Sequence, residues 1–141
     1  MEPKDCTPLQ RQFMEKAARI ACRSNMTHRH GCIVVINGEI ISEGFNHTGR
    51  HLCHMFSYHS EVEALRKIKR KVDLSAAEMY VVRIGTERMG NPLKYSRPCV
   101  GCTEAILRAG VGKVFYSWSG DYTYFEAKKK INPASRPFKT T

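Results

Sequence analysis

Two short strings in the sequence carry residue types that can bind a metal ion and move protons. In "YHSEVEAL", His59 and Glu61 are separated only by Ser60, and in "PCVGC", Cys99 and Cys102 are three positions apart. Zinc is bound by imidazole and thiolate groups, and a catalytic site uses three protein ligands so that a fourth position stays open for water. The candidate ligands are His59, Cys99 and Cys102. A carboxylate as near as Glu61 can take a proton from water and return it to a leaving group.

The two strings are predicted to lie at the starts of two helices. Apolar residues recur at helical spacing from 59 to about 70, and "CVGCTEAILRAG" is typical of a short helix that ends at Gly110. Each helix follows a loop that begins at the end of a strand, so both N-termini can point to the same edge of a sheet. Thiolates at a helix N-terminus gain from the dipole and from unsatisfied N–H groups, which lowers their pKa and suits metal binding.

Two other interpretations of these residues stay open at this point. A structural zinc site would need a fourth ligand, such as His54, and would leave Glu61 without a role. A C-x-x-C redox pair would need no histidine at all. The chain has six cysteines, but in a core-forming intracellular protein we expect reduced thiols rather than a disulfide framework. Of the others, we expect Cys22 and Cys32 to be buried in the core.

A second cluster of possible zinc ligands follows the strand that ends in "GFN". His47, His51, Cys53 and His54 could hold a second zinc ion or line a substrate rim, but their spacing matches no established ligand pattern, so we favour an ordinary loop there.

The remaining elements alternate between helix and strand. Thr7 and Pro8 are typical of a helix start, Asn37-Gly38 predicts a hairpin, "MYVVRI" and "GKVFYSW" predict strands, and 119–121 predicts a turn into a last strand. The order α-β-β-α-β-α-β-(β) predicts an α/β fold with three layers, α-β-α, in which a mixed sheet of about five strands has helices on both faces. The stretch 85–97 is predicted to be a long loop that forms a lid or a substrate wall.

Length and composition limit the number of domains, the location and the kinds of partner that the protein can have. The 141 residues, 42% of them hydrophobic, predict a single domain over 1–141, with its core at about 9–125 and a basic tail at 132–141. Neither a signal-peptide layout nor an apolar run of roughly 18 residues is present, which predicts a soluble, cytoplasmic protein with no membrane partner. The formal charge of +10 favours nucleotides, nucleic acid or other anions as partners.

The order H-x-E, then P-C-x-x-C, is the signature of zinc deaminases. From about residue 9 to 125 the chain resembles the cytidine/deoxycytidylate deaminase superfamily, which includes tRNA adenosine and polynucleotide cytidine deaminases; the similarity lies in "GCIVVINGEIISEGFN", "HSEVEAL", "PCVGC" and "GVGKVFYS". The resemblance implies a cytidine deaminase-like fold. It also implies site roles: zinc ligands at His59, Cys99 and Cys102, the proton shuttle at Glu61, a sugar contact at Asn46, and backbone of Ser60 and Arg97 in the base pocket.

The same resemblance implies a Zn2+-dependent hydrolytic deaminase with no organic cofactor. It would convert a cytosine-type nucleoside or nucleotide (cytidine, deoxycytidine or dCMP) with water to the uracil form and ammonia. Relatives assemble as dimers or tetramers, so a homo-oligomer is expected. The alternatives are a polynucleotide deaminase, acting on cytosine in single strands or adenine in tRNA, and a non-catalytic zinc-containing module that binds nucleic acid.

The sequence gives conflicting indications of the substrate. The turn predicted at 119–121 makes the last two strands antiparallel, an arrangement that resembles the free-nucleoside enzymes of the superfamily. The net positive charge, and H-x-E in place of the C-x-E common among free cytidine deaminases, favour an anionic substrate. Arg88 and Arg97, in the predicted loop, are candidates for a phosphate contact.

Overall fold

Three helices and seven strands occur in the residues that the computed structural model describes, which are 4–48, 58–69, 71–85, 93–96, 98–118 and 123–128. In chain order they are β1 (Lys4–Asp5), α1 (Pro8–Ala21), β2 (Arg29–Ile36), β3 (Glu39–Phe45), α2 (Ser60–Arg66), β4 (Glu78–Ile84), β5 (Leu93–Lys94), α3 (Val100–Ala109), β6 (Lys113–Ser117) and β7 (Thr123–Lys128). The strands form one sheet in the order β1-β7-β6-β4-β2-β3, and β5 pairs with β4. Five of the strands are longer than two residues, as predicted, and the sheet is mixed because only β4 and β6 pair in parallel.

Local signals in the sequence determine where several elements begin and end. Thr7 caps α1, since its Oγ1 accepts a hydrogen bond from the Gln10 N–H at 3.2 Å while the Gln10 side chain accepts from the Thr7 N–H at 2.9 Å. Asn37 and Gly38 both have positive φ, 52° and 81°, as a tight hairpin between β2 and β3 requires. Gly110, with φ 85°, ends α3. These three predictions are confirmed.

Three features differ from the prediction. Helix α2 ends at Arg66 rather than near residue 70, and Ile68, beyond its end, still packs against the core on the α2 side of the sheet. The segment 85–97 is not entirely loop, since residues 93 and 94 form β5. Cys22 is exposed at the C-terminal end of α1, one residue past the last buried position, whereas Cys32 is fully buried as expected.

The sheet is covered on both faces, so β2 and β4 are buried on two sides. On one face, α1 packs over residues such as Ile33, Val82 and Phe115. On the other, α2 and α3 pack over residues such as Cys32, Val81 and Val114. The alternation of side chains along each strand assigns successive residues to opposite layers. This is the predicted three-layer arrangement.

The last two strands run antiparallel, with Lys113 opposite Lys128 and Ser117 opposite Tyr124, as the predicted turn implied. The turn itself, at 119–121, and the predicted basic tail, at 132–141, lie outside the described residues. None of the helices in the described part has the length and apolar character needed to cross a bilayer.

Candidate metal centre and its cavity

The three candidate ligands lie at the first turns of neighbouring helices. His59 is the residue that precedes α2, in extended conformation, and its carbonyl oxygen accepts a hydrogen bond from the Glu63 N–H at 2.9 Å. Cys99 has the same place before α3, and its Sγ accepts from the Cys102 N–H at 3.4 Å. Both N-termini meet at the same edge of the sheet, as predicted. The spacing of three in C-x-x-C then brings both sulfur atoms to one side of the first turn of α3.

The geometry of the cluster fits a zinc ion. The His59 Nδ1 lies 3.1 Å from the Cys102 Sγ and 3.5 Å from the Cys99 Sγ, and all three ligand atoms lie within 4.8 Å of one another. Donors around one tetrahedral zinc ion stand roughly 3.5 to 3.8 Å apart, given zinc bond lengths of about 2.0 to 2.3 Å. One imidazole with two thiolates is also a donor set that zinc prefers, and three protein ligands leave one position for a small molecule.

The electrostatics of the cluster couple metal binding to proton release. In the metal-free cluster the pKa of the Cys102 thiol is raised well above its ordinary value, not lowered as its place at a helix N-terminus predicted, because burial, the Glu61 carboxylate and the neighbouring Cys99 all disfavour the thiolate. Without a cation the cluster therefore keeps Cys102 protonated. A divalent ion reverses this preference because it stabilises the thiolate directly, so binding must release a proton. Cys32, whose pKa is also raised by burial, by Glu61 and by Cys102, stays a thiol in the core.

A cavity of about 140 Å³ opens beside the cluster. Its size exceeds that of a single water site, so it can admit a small organic ring. The cavity is lined by seven residues: His30, Asn46, His59, Ser60, Glu61, Ser96 and Cys99. Glu61 is only 5% exposed, and its Oε1 accepts a hydrogen bond of 2.8 Å from the Ser60 hydroxyl. The carboxylate therefore borders both the cavity and the metal cluster without being one of the three clustered ligands.

Asn46 lies directly after β3 and is almost fully buried. Its Oδ1 accepts from the His30 N–H at 2.8 Å, and its Nδ2 donates to the His28 carbonyl oxygen at 2.6 Å. These two hydrogen bonds of the Asn46 amide connect the start of β2 to the end of β3, and the side chain also lines the cavity. The predicted sugar contact stays a prediction, and this geometry places the side chain where such a contact is feasible.

Sequence reasoning missed two residues of the cavity wall, His30 and Ser96. Burial lowers the pKa of His30 to about 4, and the charges of Arg83, His59 and His28 act in the same direction, so the ring is neutral at pH 7. A signal for His30 was present, since it is two residues before the buried Cys32 and so shares its face of β2. Ser96 had no such signal, because it follows a two-residue strand.

A buried pair of serines holds the wall that contains Ser96. The Ser96 hydroxyl donates to the Val81 carbonyl oxygen at 2.8 Å, and the Ser117 N–H donates to the Ser96 Oγ at 2.8 Å. The Ser117 hydroxyl lies 2.6 Å from the Lys94 carbonyl oxygen, to which it donates, and its Oγ accepts from the Arg83 N–H at 3.2 Å. The segment that leads to Cys99 is thereby tied to both β4 and β6.

The second candidate zinc cluster is only partly described. His47 Nε2 lies 2.9 Å from the Glu63 Oε2, and the Arg66 guanidinium donates to the Glu63 Oε1 at 2.7 Å. His47 is thus engaged with a buried carboxylate of α2, and the expectation of an ordinary loop for the whole cluster stays a prediction. The other members, His51, Cys53 and His54, lie outside the described residues, as do the proposed pocket residue Arg97 and the candidate phosphate residue Arg88.

Comparison with known proteins is consistent with this site. The model of the cytidine and deoxycytidylate deaminase zinc-binding region matches residues 8–118. The deoxycytidylate deaminase of Saccharomyces cerevisiae is 32% identical over 152 aligned positions, which cover 98% of this chain and 49% of the yeast protein. That of Schizosaccharomyces pombe is 31% identical over 116 positions, 76% of this chain and 36% of that protein. The chain therefore spans about half, or less, of the length of these curated relatives.

Solved structures agree in fold. The dCMP deaminase of cyanophage S-TIM5 in its apo form has a TM-score of 0.60 at 28% identity, covering 82% of this chain and 88% of the phage chain. The same enzyme in complex with dCMP and dUMP has a TM-score of 0.57 at 25% identity, covering 79% and 82%. A cytidine deaminase from Burkholderia pseudomallei, at 15% identity, shares the fold with a TM-score of 0.62 and coverage of 88% and 94%. On the match over residues 8–118, the chain belongs to the cytidine and deoxycytidylate deaminase family.

Proposed function

We propose that this protein is a zinc-dependent hydrolase that converts deoxycytidylate and water into deoxyuridylate and ammonia. The observation that carries the proposal is the joint placement of three zinc-type ligands and one buried carboxylate around a single small cavity. The names of the yeast and phage relatives support deoxycytidylate among the cytosine-type substrates. The net charge of +10 favours a substrate with a phosphate group.

In this proposal, His59, Cys99 and Cys102 hold the zinc ion. When bound, zinc would lower the pKa of a water molecule toward neutrality, which is the chemistry it would supply to this site. The chain's own contribution to the chemistry is the Glu61 carboxylate, which accepts the proton from that water. Ser60 orients this carboxylate through its hydrogen bond to Oε1.

The covalent change takes place on the substrate ring. A C–O bond forms at C4 of the cytosine, and Glu61 delivers the proton taken from water to the ring nitrogen N3. Glu61 then takes the proton of the new C4 hydroxyl and delivers it to the exocyclic amine. The C4–N bond then breaks, ammonia leaves, and a carbonyl remains at C4. Four of the cavity residues, Asn46, Ser60, Glu61 and Ser96, are buried, so a bound ring would displace water from the side chains that act on it, which would strengthen each of these electrostatic interactions.

A second candidate, deamination of the free nucleosides cytidine and deoxycytidine, is favoured by one specific observation. Strands β6 and β7 are antiparallel, the arrangement that resembles the free-nucleoside enzymes. The two candidates differ only in the phosphate, so the same experiment can separate them.

The test is ammonia release by the zinc-loaded protein from cytidine, deoxycytidine, CMP, dCMP, a cytosine-containing single strand and tRNA. We expect dCMP to give the highest kcat/KM. Glu61→Gln should lower kcat by about 10² to 10⁴ while one zinc per chain is retained, because a general acid and base is lost but no ligand is. Cys99→Ser serves as the matched variant, in which zinc binding and activity should fall together.

Other outcomes would replace the proposal. A higher kcat/KM for deoxycytidine than for dCMP would favour the nucleoside enzyme, and release only from a polymer would favour a polynucleotide deaminase. Ammonia release from none of these substrates, with salt-sensitive binding of nucleic acid, would favour a non-catalytic module. The homo-oligomer remains a prediction that light scattering on the same sample can check.

A further inference from the structure

A line of nitrogen-bearing side chains leads from the metal cluster to the outer part of the same sheet edge. His30 lines the cavity and is close enough to both His59 and Arg83 for their charges to act on it. Arg83 on β4 is the direct partner of His30 on β2 in the strand register. Both residues belong to the face of the sheet that α2 and α3 cover, since each is two positions from Val81 or Cys32 in the core of that face.

The guanidinium of Arg83 lacks an acidic counter-ion in the described part of the chain. The ion pairs found there involve other residues, among them Arg11, Arg23 and Arg66. The side chain of Arg83 is partly buried, and its Nε is fully buried with no hydrogen-bond partner. A buried N–H group without an acceptor is costly, because the hydrogen bond it loses to water is not replaced. This guanidinium is therefore suited to receive an anion.

His28 lies next to the Arg83 guanidinium and offers a second polar group for an anion. The Arg83 guanidinium lies 2.9 Å from the His28 Nδ1. Because a guanidinium can only donate, this nitrogen is the acceptor, and the ring proton is then on Nε2, where it can be donated to another group. The backbone of His28 is fixed in place by the hydrogen bond from Asn46 to its carbonyl oxygen.

We propose that Arg83 and His28 bind the 5′-phosphate of the substrate, which makes the protein select nucleotides over nucleosides. The inference rests on the proposed function for the position of the base. With the base beside Glu61, the sugar lies near Asn46 and His30, and the next group outward along this line is Arg83. A guanidinium offers paired N–H donors that match phosphate oxygens, which a neutral histidine or a lysine does not.

The test compares Arg83→Gln with Arg29→Gln in the zinc-loaded protein. Arg29 is one position before His30 on β2, pairs with Ile84, and donates to the Gly85 carbonyl oxygen, so it faces the opposite layer. The measured quantity is kcat/KM for dCMP and for deoxycytidine. We expect Arg83→Gln to lower the value for dCMP about 10²-fold, mainly through KM, and to change the value for deoxycytidine by less than about threefold. Arg29→Gln should leave the ratio of the two values at its wild-type level.

Two results would overturn the inference. An equal loss on dCMP and deoxycytidine would show that Arg83 only maintains the structure, and an unchanged preference for dCMP would show that the phosphate lies elsewhere. His28→Phe provides a second variant, with an expected loss of about tenfold on dCMP alone.

Failure of the proposed function is detected separately. If the wild type does not deaminate dCMP, calorimetric titration with dUMP, deoxyuridine and inorganic phosphate still tests Arg83. Binding of dUMP or phosphate that is lost in Arg83→Gln and kept in Arg29→Gln would support the phosphate site with a different reaction. Equal binding of dUMP and deoxyuridine by the wild type would overturn it.

Discussion

Gly44 lies where β3 passes beneath the first turns of α2, and replacing it with alanine tests how tightly this helix must be held for catalysis. A Cβ atom at Gly44 would lie 2.5 Å from the Ser60 carbonyl oxygen and 2.7 Å from the Ala64 backbone nitrogen. Both are backbone atoms of α2, so no side chain can rotate away. Restoring an ordinary contact of 3.4 Å requires a displacement of about 0.9 Å.

The displacement should affect activity more than stability. Overpacking of this kind costs about 1 to 3 kcal/mol, and a change of 1 kcal/mol moves the Tm of a chain this size by roughly 4 °C. The helix that moves begins at Ser60 and carries Glu61, directly after His59. A misplacement of about 1 Å at reacting groups costs on the order of 10²-fold in rate. We therefore expect Gly44→Ala to lower kcat on dCMP about 10²-fold, with a fall in Tm of roughly 4 to 12 °C.

Gly31→Ala is the matched control. A Cβ at Gly31 would meet the Ala17 carbonyl oxygen and the Ala21 nitrogen of α1, which lies on the opposite face of the sheet from the cavity. Its fall in Tm should equal or exceed that of Gly44→Ala, whereas its kcat, measured well below both melting temperatures, should stay within about threefold of wild type. Equal kcat values for the two variants would refute the view that the position of α2 limits the chemistry.

Two further predictions concern the cavity wall. Ser117→Ala should lower the free energy of unfolding by about 2 to 3 kcal/mol, because the Lys94 carbonyl and the Arg83 N–H lose their buried partner. Urea denaturation measures this loss. The control is Ser42→Ala, which removes one hydrogen bond to the Ala64 carbonyl and should cost only about 1 kcal/mol. The same loss in both variants would argue against a shared hydrogen-bond network around Ser117. The pKa of His30 is about 4 in the folded protein and 6.5 in the unfolded chain, so the unfolded chain takes up the proton first as the pH falls. The contribution of neutral His30 to the free energy of unfolding is therefore fully present above pH 6.5 and is lost as the pH falls toward 4. Metal-free wild type should therefore lose about 2 kcal/mol more than His30→Gln between pH 7 and 5, and parallel pH curves would contradict this.

The candidate metal cluster could be predicted because its information is local. Two cysteines three apart at a helix start must lie on one turn, and a histidine directly before another helix must lie at that helix's N-terminus. The one long-range assumption was that the two helices begin at the same edge of the sheet. The alternation of strands and helices made this the favoured arrangement, since each helix here follows a strand of one sheet.

The cavity wall could not be predicted because it depends on register between distant segments. Ser96 enters the wall only because β5 returns along β4, with Ile84 opposite Leu93, and a two-residue strand has no periodicity to detect. The burial of residues at the end of α1 was also beyond what the sequence pattern could predict. Cys22 is exposed because the last buried position of that helix is Ala21, and a shift of one residue is beyond what spacing can resolve.

The direction of β7 and the names of the relatives point to different substrates, and the structure suggests why the strand direction has little bearing on the choice. In the sheet order, β7 lies beyond β6, on the side away from β2 and β3. The cavity residues described here come from β2, the ends of β3 and β5, and the first turns of α2 and α3, so none belongs to β7. A phosphate can be distinguished from a hydroxyl only by groups that lie within contact of it, and the candidate groups, Arg83 and His28, are at the C-terminal end of β4 and just before β2. Reversing β7, which lies two places from β4 in the sheet, leaves these groups where they are. Selection for a nucleotide is therefore compatible with an antiparallel final pair, and the ratio of dCMP to deoxycytidine turnover should follow residue 83 rather than the strand direction.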